Sequence, residues 1–177
     1  MITDGPIETA RLLLRNLTEA DATLGYLSWL NDPEVLRYLE VRFSKLVDLN
    51  ELRTFVQTVN ASTDTVMFGI FRRDTGQHIG NIKLGPIKFD HARAEIGFLI
   101  GDRLSWGAGY ASEAIYAVAQ FGLERLNLAK ISAGCYEANV GSMKALLKAG
   151  FLQIATIPND VVCDGVRVAS LLFAKNR

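Results

Sequence analysis

The chain has 177 residues and a mass of 19.5 kDa, and its 19 Lys+Arg against 19 Asp+Glu leave no formal net charge. At about 150 residues per domain the length excludes a second full core, so residues 1–177 are expected to form one domain. With 49% hydrophobic and 21% charged residues the core needs neither disulfide nor structural metal, and the even charge argues against a protein whose main affinity is for a nucleic-acid backbone.

In chain order, residues 9–16 are β-prone, and Thr18 is expected to cap a helical stretch that ends at the Asn31-Asp32-Pro33 turn. Leu49, Leu52, Phe55, Val56 and Val59 recur at helical spacing, which predicts a helix over 48–60 capped by Asp48. Three strands, 65–73, 78–86 and 92–101, follow with short turn-rich gaps, the pattern of an antiparallel meander. A helix over 109–126 shows a face of Ala and Gly that lets it lie close to a sheet. A strand at 130–136, a helix from Asn139 to Ala149 stopped by Gly150, and strands near 151–158 and 166–174 complete an α+β chain with a mixed sheet.

Cys135 and Cys163 are far apart with no CxxC pair, and His78 and His91 are the two histidines, which speaks against a disulfide framework and a metal centre. The N-terminus lacks a basic segment followed by an apolar one, and no apolar run is long enough to span a bilayer. A reducing cytoplasm is the expected location, with no membrane partner.

Two stretches stand out chemically. In Trp106-Gly107-Ala108-Gly109-Tyr110-Ala111-Ser112-Glu113-Ala114, two glycines between a strand and a helix can expose several backbone N–H groups at a helix start, where an anion is favoured. The same glycines also suit a plain tight turn. In Asn139-Val140-Gly141-Ser142, Asn139 reads as an N-cap with Ser142 on the first turn, and the two helix starts could face one crevice.

These two stretches, with Glu8-Thr9-Ala10-Arg11-Leu12-Leu13-Leu14-Arg15 and Gly150-Phe151, resemble the GNAT superfamily of acetyl-CoA-dependent N-acetyltransferases over residues 8–174, in the subgroup similar to ribosomal-protein N-terminal-amine acetyltransferases. The resemblance implies a mixed, mostly antiparallel, splayed sheet flanked by helices on both faces. It also implies acetyl-CoA as co-substrate and transfer to a primary amine in a ternary complex.

Carried over by position, it assigns the cofactor to Trp106, Gly107, Ala108, Gly109, Tyr110, Ala111 and Ser112, to the strand backbone at Leu99 and Ile100, and to Asn139 and Ser142 near the sulfur. Leu146 stands where many members carry a tyrosine that protonates the leaving thiolate. Ser142 is the expected donor in its place, with Tyr136 or water as alternatives, and Glu95 is the expected base, with His91 as runner-up. Glu40, Arg42, Phe43, Asn81 and Glu95 are the expected acceptor contacts, with Phe68 beside them. The acceptor expected is a small amine such as an amino sugar or its nucleotide conjugate; alternatives are a protein N-terminus or a non-catalytic acyl-CoA-binding module. A homodimer pairing through the strand at 166–174 is also expected.

Overall fold

The structure, a computed structural model, describes residues 5–40 and 48–177. It is built on an eight-stranded sheet in the order β1-β2-β3-β4-β5-β6-β8-β7. The strands are β1 (Ile7–Glu8), β2 (Leu12–Asn16), β3 (Val66–Arg72), β4 (His78–Leu84), β5 (Arg93–Ile100), β6 (Lys130–Tyr136), β7 (Leu152–Cys163) and β8 (Val166–Asn176). All neighbours are antiparallel except β5 and β6, which run parallel.

One face carries α4 (Tyr110–Gln120) and α5 (Val140–Lys148). Ala114, Ile115 and Val118 of α4 and Leu146 of α5 pack with Leu12, Leu14, Phe68, Ile82 and Ile96 of the sheet in the main core. The other face carries α1 (Leu24–Trp29) and α3 (Leu49–Asn60), whose Tyr26, Leu52 and Val56 form a second cluster with Leu17 and Phe71. A four-residue helix, α2 (Pro33–Leu36), follows Asp32, which caps it by accepting from Glu34 N. The α+β architecture with helices on both faces is the one the sequence predicts.

Asp48 caps α3 as expected, accepting from Asn50 N and Glu51 N. Thr18 does not open α1. Its N–H donates to Asp21 Oδ2 at 2.7 Å while Arg15 grips both Asp21 oxygens, so only a 3-10 turn, Glu19–Asp21, forms, and Thr23 caps α1 instead. The helix after Gly109 is α-helical to Gln120 and widens into a π turn over Phe121–Arg125. Gly122 makes the close approach to the sheet: a Cβ there would meet Ile131 Cδ1 at 2.7 Å.

β7 runs past Pro158, where the sequence ends it. The register shifts between Ile157 and Val161, Asn159 adopts φ 54°, and Asp160 accepts from Ser170 Oγ at 2.5 Å, so the prolyl residue sits in a bulge of an edge strand. The expected dimer contact through 166–174 is corrected by the strand order: β8 is paired on both sides, by β6 and β7, and the edge belongs to β7.

Candidate active site

The parallel pair sets up the site. β5 and β6 are in register at Arg93/Lys130, Ala94/Ile131 and Glu95/Ser132, and there the pairing stops although both strands continue. Beyond that rung the facing edges, Ile96–Ile100 and Ala133–Tyr136, diverge into a wedge.

The β4–β5 ladder decides which backbone groups line it. Gly85 N donates to Glu95 O at 2.8 Å and Gly101 N to Ile79 O at 2.9 Å, so odd-numbered residues of β5 bond to β4 and even-numbered ones, Phe98 and Ile100, face the wedge. This corrects the expectation for Leu99, whose backbone turns to Asn81 of β4 while its side chain packs against the second cluster. Ile100, by the same parity, faces the wedge. An extended arm can therefore add to β5 as a further strand does.

At the wide end the chain crosses from β5 to α4 through the glycine stretch. Gly107 and Gly109 have φ of 74° and 82°, the left-handed region that glycine adopts without strain, and a Cβ on Gly107 would meet nothing within 4 Å. The first turn of α4 leaves the N–H groups of Tyr110, Ala111 and Ser112 without intrahelical partners. Trp106, expected among the cofactor contacts, ties this loop to the strand: its Nε1 donates to Ile100 O at 2.7 Å, and the Arg103 guanidinium lies over its ring. Beneath the loop Glu113 accepts from Thr9 Oγ1, Arg11 N and Arg11 Nε, and Arg11 Nη1 donates to Ala108 O.

Across the wedge, Asn139 caps α5 by accepting from Ser142 N at 3.0 Å. Burial pushes the Cys135 thiol up, against a hydrogen bond with Ser142 that lowers it, so Ser142 stands beside a sulfur at the β6 wall. Leu146 is fully buried in the main core.

Side chains alternate along β6, so Tyr136 lies on the opposite face from Cys135. It is 7% exposed, its hydroxyl donates to Glu40 Oε1, and its ring meets Tyr38 edge-on. The sequence singles out Glu40 and Tyr136 separately; their union across 96 residues has no sequence signal. Glu95 is on this face, exposed, at the last paired rung of the wedge. His91 is exposed in the 3-10 turn before β5, at the closed end. Arg42 and Phe43 lie outside the described residues.

Asn81 is 2% exposed. His78 Nε2 lies 3.0 Å from both Gly80 O and Asn81 Oδ1, so it carries the proton, and burial pushes this imidazole down. His78 Nδ1 and Asn81 Nδ2 have no partner among the described residues. Phe68, expected beside the acceptor, is instead fully buried in the main core, edge-on to Phe121. A separate groove of about 500 Å³ is bordered by β1 and α4, through Pro6, Tyr116 and Gln120, rather than by β5 or β6. Among the described residues no helix is long and apolar enough to cross a membrane, and no group of three or more His, Cys, Asp or Glu could hold a metal ion.

Residues 11–152 match the family model described as an acetyltransferase (GNAT) domain. The chain is 35% identical over 147 residues to the uncharacterized N-acetyltransferase YoaA of Bacillus subtilis, covering 82% of this chain and 81% of that protein. Among solved structures it resembles spermidine N-acetyltransferase from Vibrio cholerae in complex with CoA and spermine, with TM-score 0.82 and 19% identity over 95% and 96% of the two chains. It also resembles RimL, a ribosomal alpha-N-protein acetyltransferase in complex with coenzyme A, with TM-score 0.83 and 17% identity over 97% of each chain. The chain belongs to the GNAT acetyltransferase family and is an acetyl-CoA-dependent N-acyltransferase.

Proposed function

We propose that the wedge between β5 and β6 holds acetyl-CoA and that this protein transfers the acetyl group to a primary amine of a small acceptor, such as an amino sugar or its nucleotide conjugate. The observation that carries the cofactor part is the wedge itself: the edge of β5 turned away from β4, with the Phe98 backbone and the Ile100 N–H, leads to a helix start with glycines in the left-handed region. In this reading the N–H groups from Gly107 to Ser112, including those of Ala108, Gly109, Tyr110 and Ala111, receive the phosphates. Acetyl-CoA supplies the activated thioester. Asn139 orients the first turn of α5, Ser142 donates a hydrogen bond to the departing sulfur, and Glu95, standing where the strands part, takes the amine proton directly or through water.

The acceptor reading rests on the opposite face. The Glu40 carboxylate at the end of β6 is an anion matched to an ammonium group, whereas Asn81, expected as an acceptor contact, is buried away from the surface. Arg37 bonds Asp164 in the turn between β7 and β8, at 2.5 and 3.0 Å. Together with the Glu40–Tyr136 bond this ties the stretch from Arg37 to Glu40 to β6 and to the β7–β8 turn, and a segment held there suits a small acceptor better than an extended chain. A protein N-terminus is the second reading, and the acceptor named for RimL is the observation in its favour. The dimer belongs to this reading as pairing along β7, whose Leu152, Ile154 and Val162 are exposed; sedimentation at increasing concentration tests it, a strict monomer excluding it.

Thiol release from acetyl-CoA with a panel of amines tests the function. Gly109→Glu, which puts a carboxylate into the loop, abolishes release. Glu95→Gln lowers kcat by about a hundredfold, the lower end of a general base's contribution, and Ser142→Ala lowers it by about tenfold, one hydrogen bond. Tight acetyl-CoA binding without release for any amine class contradicts transfer and leaves a binding module.

A further inference from the structure

Arg11 is not assigned by any part of the functional reading, yet its side chain and backbone join the glycine loop, the first turn of α4 and β2. Its Nε donates to Glu113 Oε2 at 2.7 Å and its backbone N to Glu113 Oε1 at 2.9 Å, while Thr9 Oγ1 donates to Glu113 Oε1 at 2.6 Å. Its Nη1 donates to Ala108 O at 2.9 Å, and its guanidinium lies 4.6 Å from the centre of the Tyr110 ring. Its Nη2 reaches to 3.5 Å from where a Cβ on Gly109 would stand, and Lys148 Nζ, arriving from the last turn of α5, reaches to 3.9 Å from the same point.

Two physical consequences follow. A carboxylate in the first turn of α4 repels any anion brought to that helix start. Partial burial pushes the Glu113 carboxyl up, but hydrogen bonds from Thr9 and Arg11 outweigh it and hold the group below its usual range, so the charge is present and must be neutralised locally. Arg11 does this while drawing the carboxylate toward β2. Secondly, like charges on Arg11 and Lys148 converge on one point above Gly109, an arrangement that an anion between them would stabilise.

We propose that Arg11 is a positioning residue for the cofactor: it fixes the Ala108 carbonyl, neutralises Glu113 and, with Lys148, presents cationic N–H groups to the phosphates of coenzyme A. The proposal rests on the reading that these phosphates bind from Gly107 to Ser112. The guanidinium serves the two acceptors with two nitrogens of one rigid fork, Nε on Glu113 and Nη1 on Ala108, an arrangement the single nitrogen of an ammonium reproduces only in part.

The test compares two acetyl donors, acetyl-CoA and S-acetylpantetheine, which lacks the phosphates. In Arg11→Ala the ratio of kcat/KM for acetyl-CoA to that for S-acetylpantetheine falls by about tenfold to a hundredfold, the range for a charge-assisted hydrogen bond. Arg11→Lys, a milder change should the alanine variant fail to fold, restores the ratio only in part, and Lys148→Ala lowers it less. Calorimetric titration with coenzyme A shows the same order of affinities. If Arg11→Ala and Arg11→Lys lower both donors in parallel, Arg11 is merely structural and the proposal is overturned. If Gly109→Glu abolishes coenzyme A binding but both Arg11 variants keep the ratio, the proposal fails alone; if Gly109→Glu leaves coenzyme A affinity unchanged, the loop reading fails first.

Discussion

Asp21 shows how a single carboxylate redirects the chain. Partial burial pushes it up, but Arg15 and the Thr18 N–H and hydroxyl overcome this and hold it at about 2, below the ordinary value near 3.9. Its folded-state pKa is depressed, so its contribution to stability is full above about pH 4 and is lost as pH falls toward 2. Thermal melts should show Asp21→Asn less stable than the parent at pH 7, with the difference shrinking from pH 4 to pH 2; a constant difference contradicts the account. Arg15→Ala should cost about 1–3 kcal/mol at pH 7 in urea unfolding, because it leaves Asp21 without its bidentate partner.

At this scale the sequence was informative about identity and poor about partners. Asp48, Asn139 and the glycines at 107 and 109 declare local backbone roles, and each was found in that role. Leu99 misled, because which backbone groups face the wedge depends on the parity of the β4–β5 ladder rather than on residue type. Glu40 and Tyr136 meet only through the tertiary fold.

Among the elements, β5 and α4 make the site by different means. β5 pairs with β6 as far as Glu95 and then parts from it while staying with β4 to Ile100, leaving backbone groups for an added strand, while α4 offers its start. The close approach of the π turn to the sheet is as demanding as the loop. Gly122→Val should cost roughly 1–3 kcal/mol in chemical denaturation through overpacking against Ile131 and Leu84. An unchanged midpoint would show that the turn shifts freely. The periodicity of Leu49 to Val59 and of Lys130 to Tyr136 made α3 and β6 legible to within a residue. The far half of β7 was not, because Pro158 usually ends a strand and here sits in an edge bulge that the Ser170–Asp160 bond holds.

For the whole molecule, the even balance of 19 basic and 19 acidic residues conceals a local asymmetry: Arg11 and Lys148 converge on the glycine loop while Glu40 stands at the end of β6. Net charge reports neither. The chain order of strands also left the dimer edge unreadable, since β8 follows β7 in sequence but lies inside it in the sheet. The most direct measurement is a crystal structure of the complex with coenzyme A. The account predicts phosphates on the N–H groups from Gly107 to Ser112, between Arg11 and Lys148, with the arm along Phe98 and Ile100. Phosphates in the groove beside Pro6, Tyr116 and Gln120, with the wedge left empty, would contradict it.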